Sequence, residues 1–190
     1  MSRTQVAPVR TVLPVVAILG ASGALALRPW VLAEHPIPAG AQTSLLALLY
    51  VSIAAASLLP ALRPDEASGH VGVVLGLGLA AVAAAWRLSG PAAPLALAPA
   101  ALPLSVAAAI AEEALFRRLA YAHLRRWGAP AAIGGAAVLF ALAHVPAYGV
   151  AALPVDLGAG LLFGWQRWAA GTWTVPAATH AAANLLVVIR

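Results

Sequence analysis

Three short groups of residues in the second half of an otherwise apolar chain have the right side chains for chemistry: Glu112-Glu113 with Arg117, Phe140 with His144, and His180 with Asn184. Carboxylates and imidazoles take and return protons, and amides and guanidinium groups donate hydrogen bonds. Held at membrane depth, such groups are costly, so each is a functional-site candidate. The chain contains no cysteine, which removes thiol nucleophiles, disulfides and thiolate metal sites together. Any reaction must therefore rest on Glu, His, Asn, Ser or Arg.

Spacing assigns these residues to faces. Glu113 and Arg117 are i and i+4, so on a helix they stack and pair, while Glu112 is turned by about 100° from Glu113. The two glutamates then have different tasks: Glu113 with Arg117 forms a buried orienting pair, and Glu112 faces a cavity. His180 and Asn184 share one face of the last helix and can act on one group. Phe140 lies one turn before His144 and packs the wall beside it.

The elements that must position these groups are membrane helices. The 190 residues are 63% hydrophobic and 9% charged, with a mean hydropathy of +0.92, far from the soluble average. Apolar runs at 11–27, 43–62, 69–86, 104–127, 130–146, 149–169 and 173–189 predict an all-α polytopic bundle of about seven spans. Residues 1–99 read as N-terminal transmembrane helices with a proline-rich connection, and 100–190 as the core that holds the chemistry. Pro91, Pro94, Pro99 and Pro103 predict a bent, interfacial or re-entrant approach to the fourth run, and Pro130 opens the fifth. The first run ends in Ala24-Leu25-Ala26, a small-residue pattern like a signal-peptidase site, but its length favours an anchoring span.

All eleven basic residues are arginines. With the N-terminus cytoplasmic, Arg3, Arg10, Arg63, Arg118, Arg125, Arg126 and Arg167 fall inside and Arg28, Arg87 and Arg190 outside, which supports that orientation in a cell membrane. Trp30, Trp86, Trp127, Trp168 and Trp173 fall at predicted helix ends, as an interfacial belt requires. The basic charge is topogenic, and nucleic acid is not an expected partner; the lipid bilayer is.

Helix rise tests whether the three groups can meet. Glu112 is thirteen residues before Arg125 on a descending helix, about 20 Å above the cytoplasmic end. His144 is fourteen residues beyond Pro130 on the next helix, about 21 Å above the same face. His180 and Asn184 rise roughly 12 to 18 Å from Thr172. All three groups converge on one slab near the middle of the bilayer.

The segments Glu112-Glu113-Ala114-Leu115-Phe116-Arg117, Phe140-Ala141-Leu142-Ala143-His144 and His180-Ala181-Ala182-Ala183-Asn184 resemble the EExxxR, FxxxH and HxxxN motifs of the CPBP family. These are intramembrane proteases related to Rce1-type CAAX prenyl endopeptidases and to bacteriocin-processing or self-immunity proteins. Gly160-Leu161-Leu162-Phe163-Gly164-Trp165 and Thr172-Trp173-Thr174-Val175-Pro176 resemble the family's linking helix and turn. The likeness covers residues 100 to 190, and Arg118 departs from it where many members have a small residue.

The resemblance implies an endopeptidase acting on a membrane-associated or lipidated protein or peptide. Glu112 is the implied general base on a water that His144 helps to hold, and His180 and Asn184 are the implied oxyanion donors. Glu113, Arg117 and Phe140 support the site. The family is often labelled a metalloprotease, and Glu112, His144 and His180 have the ligand types of a three-ligand zinc site. No cofactor is required by this reading.

Two alternatives stay open. Gly20-Ala21-Ser22-Gly23 reads as the GxSG of rhomboid-like serine proteases, with Ser22 as nucleophile needing a histidine partner. The other is a non-catalytic membrane scaffold or immunity protein. HExxH and P-loop signatures are absent. His123 reads as interfacial, His35 and His70 as loop residues, and Asp156, inside the sixth run, faces the cavity or pairs with an arginine.

Overall fold

In lipid a helix satisfies its own backbone polar groups, and the chain uses that solution along its described length. The computed structural model describes residues 7–34, 38–58, 67–90 and 101–188, all helix and short connections with no strand among them. The helices are α1 (Ala7–Glu34), α2 (Ala39–Leu58), α3 (Val71–Leu88), α4 (Ala101–Glu113), α5 (Tyr121–Leu124), α6 (Ala129–Tyr148), α7 (Leu153–Ala170) and α8 (Thr174–Val188). A π-helical turn, Ala114–Ala120, joins α4 to α5 without a break. The described residues thus contain seven helical rods, one for each apolar run.

Gly40–Leu58, Val71–Leu88 and Ala129–Tyr148 are long and apolar enough to cross a membrane. With the composition, this makes the chain a membrane protein built as a helical bundle. The α4–α5 rod carries the charges of the candidate site, and α1 carries Arg28 inside the helix. The first run was expected to end at residue 27 with Arg28 outside it; α1 instead continues to Glu34. The proline-rich stretch 91–100 lies outside the described residues, as do His35, Arg63 and Arg190.

The main core joins α1, α2, α4, the π-turn and α6 through Ile18, Ala21, Leu25, Tyr50, Ile53, Leu115, Phe116, Leu119 and Phe140. The helices that precede the motif-bearing half therefore pack directly on it. Elsewhere, small residues let backbones approach closely. A Cβ on Gly160 of α7 would lie 2.9 Å from the Ala137 Cα of α6, and one on Gly164 would lie 3.0 Å from Ile133. This is the close packing that small residues four apart provide in membranes.

Polar side chains tie the remaining ends. Gln166 Nε2 donates to the Val74 carbonyl at 3.1 Å and to Thr179 Oγ1 at 2.9 Å, linking α7 to α3 and α8. Arg118, the departure from the family pattern, donates to the Ser57 carbonyl in the last turn of α2, a helix end that lacks an intrahelical donor. Arg167 Nε donates to the Arg117 carbonyl at 3.0 Å, within the π-turn. Widened turns of this kind are frequent at functional sites.

Candidate active site

The three groups named from spacing meet. α4 supplies Glu112 and Glu113, α6 supplies Phe140 and His144, and α8 supplies His180 and Asn184. Glu112 Oε2 lies 3.4 Å from His144 Nε2 and 3.9 Å from His180 Nε2. Glu112, His144, His180, Phe140 and Asn184 line one cavity of about 710 Å³, whose wall is otherwise mostly apolar. Glu112 is only 3% exposed.

Each imidazole is held from its Nδ1 side. His144 Nδ1 is 2.8 Å from the Phe140 carbonyl, and His180 Nδ1 is 2.9 Å from Glu113 Oε1. A carbonyl and an arginine-paired carboxylate only accept, so both Nδ1 atoms carry the hydrogen. Both Nε2 atoms are therefore turned toward Glu112, and in the neutral rings they are acceptors. Three acceptors this close call for a shared proton, or for a donor such as water that bridges them from the cavity side.

Glu113 and Arg117 form the expected buried pair, with Arg117 Nη1 donating to Glu113 Oε1 at 3.0 Å and neither side chain exposed. A buried charge needs partners on every side. Arg117 Nη2 donates to the Gly160 carbonyl at 3.2 Å. Its guanidinium lies 4.6 Å from the ring of Phe140, 5.3 Å from Phe163 and 5.9 Å from Phe116. All three phenylalanines of the chain thus surround one arginine. The same rings abut the imidazoles: Phe140 is 4.3 Å from His144, and Phe163 stacks on His180 at 5.0 Å. Phe140 is the wall residue that its spacing suggested, and Phe163 shares that task.

The sequence reading missed two residues. Arg28 of α1 was assigned to an outer connection, yet its Nη1 donates to Tyr50 Oη at 2.8 Å and lies 3.7 Å from Glu112 Oε1. Arg28 and Tyr50 line the cavity. Their signal was present, since a cation next to an apolar run faces a bundle interior as readily as a loop, but only packing decides between the two. Asn184 is placed as expected beside His180 in the cavity wall, and its Nδ2 also donates to the Ser105 carbonyl at 3.0 Å. An amide has two such hydrogens, so one remains for the cavity.

The rhomboid-like alternative loses its geometry. Ser22 is absent from the cavity wall, and its buried Oγ has no hydrogen-bond partner among the described residues. A serine nucleophile requires a base within hydrogen-bond reach.

The zinc alternative also lacks a fit. Among the described residues no group of three or more His, Asp or Glu side chains is arranged to hold a metal ion. The Oε1 side of Glu112 already faces the Arg28 guanidinium, so a dication on this carboxylate would meet a fixed positive charge.

Against this geometry, the family model described as type II CAAX prenyl endopeptidase Rce1-like matches residues 94–186. Residues 94–186 are similar to an Rce1-like domain. No curated protein and no solved structure matches the chain. The matched segment contains Glu112, His144, His180 and Asn184, whereas Arg28 and Tyr50 reach its cavity from the helices before it.

Proposed function

We propose that the protein is a multi-pass intramembrane endopeptidase that hydrolyses a peptide bond of a membrane-associated or lipidated protein or peptide. The observation that carries this reading is the convergence of Glu112, His144 and His180, from three helices, on the wall of one largely apolar cavity. The likeness of residues 94–186 to an Rce1-like endopeptidase supports the reaction class.

In this mechanism Glu112 is the general base. A water on the cavity side, hydrogen-bonded to its Oε2 and to the His144 Nε2, gives up a proton to the carboxylate and attacks the scissile carbonyl. The carbonyl oxygen becomes an oxyanion as its π electrons move onto it. Asn184 donates to that oxyanion through its remaining amide hydrogen. His180 joins it from Nε2 when the ring carries a second proton, with Glu113 on Nδ1 as the countercharge. Preorganised donors of this kind are worth most where water is excluded. Collapse of the intermediate expels the amine, which takes the proton back from Glu112. Arg117 and its phenyl cage hold Glu113 and both imidazoles in place. The chemistry needs no cofactor, and the protein works in the cell membrane with its N-terminus in the cytoplasm.

The test compares protein termini by mass spectrometry in membranes from cells expressing the wild-type protein or Glu112→Gln at equal abundance. Termini present only with the wild type identify cleavage and nominate the substrate. Identical termini under inducing conditions reject the protease reading in favour of a scaffold or immunity role.

A further inference from the structure

Asp156 is left unused by the mechanism, and its position is unusual. It stands in the first turn of α7 and lines the same cavity as Glu112 and His144. Its Oδ2 is buried and has no hydrogen-bond partner among the described residues. Ser22, Glu113, Arg117 and Gln166 also have one such atom each, but Asp156 is the residue of this set in the cavity wall. A buried carboxylate oxygen without a partner costs free energy, and a donor that enters the cavity with a substrate would relieve that cost.

Among the described residues the cations of the cavity wall do not supply that partner. Arg28 is engaged by Tyr50 and Glu112. Asp156 instead shares the cavity wall with Glu112 and His144. The cavity therefore has a cation at Glu112 Oε1 and a second carboxylate in its wall. Tyr148, whose ring stacks on His144 at 5.8 Å, lines the wall there as well.

We infer that Asp156 is a specificity-determining residue that binds a cationic side chain, arginine or lysine, of the substrate at a fixed offset from the scissile bond. This rests on the protease reading. A guanidinium or ammonium supplies both the donor that Oδ2 lacks and the opposite charge, and hydrogen bonds to charged groups are the strong ones. Aromatic faces such as Tyr148 favour the same cations.

The experiment uses the full chain in lipid nanodiscs and a pooled set of Ala/Leu peptides with a single Arg, Gln or Glu at each position, with cleavage sites read by mass spectrometry. Wild-type protein is expected to cut Arg peptides about tenfold more efficiently than Gln peptides at one offset. Asp156→Asn brings that ratio close to one, Asp156→Lys turns it toward Glu, and Asp156→Glu retains the preference for Arg. A ratio that stays unchanged in Asp156→Asn overturns the inference while leaving the protease reading intact. If wild-type protein cuts none of the peptides, the protease reading rests on the comparison of termini, and anisotropy titrations of labelled Arg and Gln peptides decide the subsite alone. Tighter Arg binding that is lost in Asp156→Asn keeps it, and equal affinities reject it.

Discussion

His180 Nδ1 is hydrogen-bonded to Glu113 Oε1 at 2.9 Å, on the same oxygen that accepts from Arg117. One carboxylate thus orients an imidazole on α8 and anchors a guanidinium in its own rod. The second glutamate of the pair is more than a helix-register residue: it sets the direction of the His180 ring. Glu113→Gln keeps the shape but weakens the acceptor and removes the countercharge. Its activity is expected to fall by about 10 to 100-fold, the scale for partners that orient a working histidine. Its KM stays close to wild type, and steady-state kinetics on a defined peptide measure both.

Among the described residues Glu112 is the carboxylate paired with both His144 and His180. Glu112→Gln is expected to lower kcat by about 10²–10⁴-fold with the fold retained, as judged by gel filtration in detergent. Ser22→Ala serves as the contrasting variant and stays within twofold of wild type. Loss of activity in Ser22→Ala with survival in Glu112→Gln would reverse the assignment of the nucleophile system.

Arg28 couples the first helix to the site. Removing its charge leaves one Glu112 oxygen without its ion pair and Tyr50 without its donor. Arg28→Leu is expected to lower kcat/KM by about tenfold or more, because breaking a buried pair on one side strands the other charge. Tyr50→Phe keeps the cation and costs less. A double-mutant cycle of Arg28→Leu with Tyr50→Phe reports the coupling, and strictly additive losses would separate the two residues.

Close packing of α7 on α6 predicts a stability effect away from the cavity wall. Gly160→Ala drives a Cβ to 2.9 Å from the Ala137 backbone and disturbs the carbonyl that Arg117 uses. Overpacking of this sort costs about 1–3 kcal/mol, observable as a lower Tm in detergent. Gly158→Ala, where a Cβ meets open space, leaves Tm unchanged.

Metal dependence gives the last test. Since Arg28 faces Glu112 and no described trio is set to hold an ion, incubation with 1,10-phenanthroline is expected to leave activity within twofold. Loss of activity that stoichiometric zinc restores would reassign Glu112, His144 and His180 as ligands.

Composition and motif spacing by themselves determined the helical class, the number of helical rods and the residues of the central cluster. Apolar runs must become helices in lipid, and a four-residue interval places Glu113 with Arg117 and His180 with Asn184 on shared faces. Rise per residue even placed Glu112, His144 and His180 at one depth, because depth depends on counting along each helix alone. What interval and depth do not encode is which helix lies beside which and which way a lone charge turns. Arg28 illustrates this: the sequence leaves a cation at the edge of an apolar run, and only the packing of α1 on α2 and α6 turns it inward to Glu112 and Tyr50. The hydrogen bond from His180 to Glu113, the ring of three phenylalanines around Arg117 and the unpartnered oxygen of Asp156 depend in the same way on contacts between helices distant in sequence, which tertiary structure alone decides.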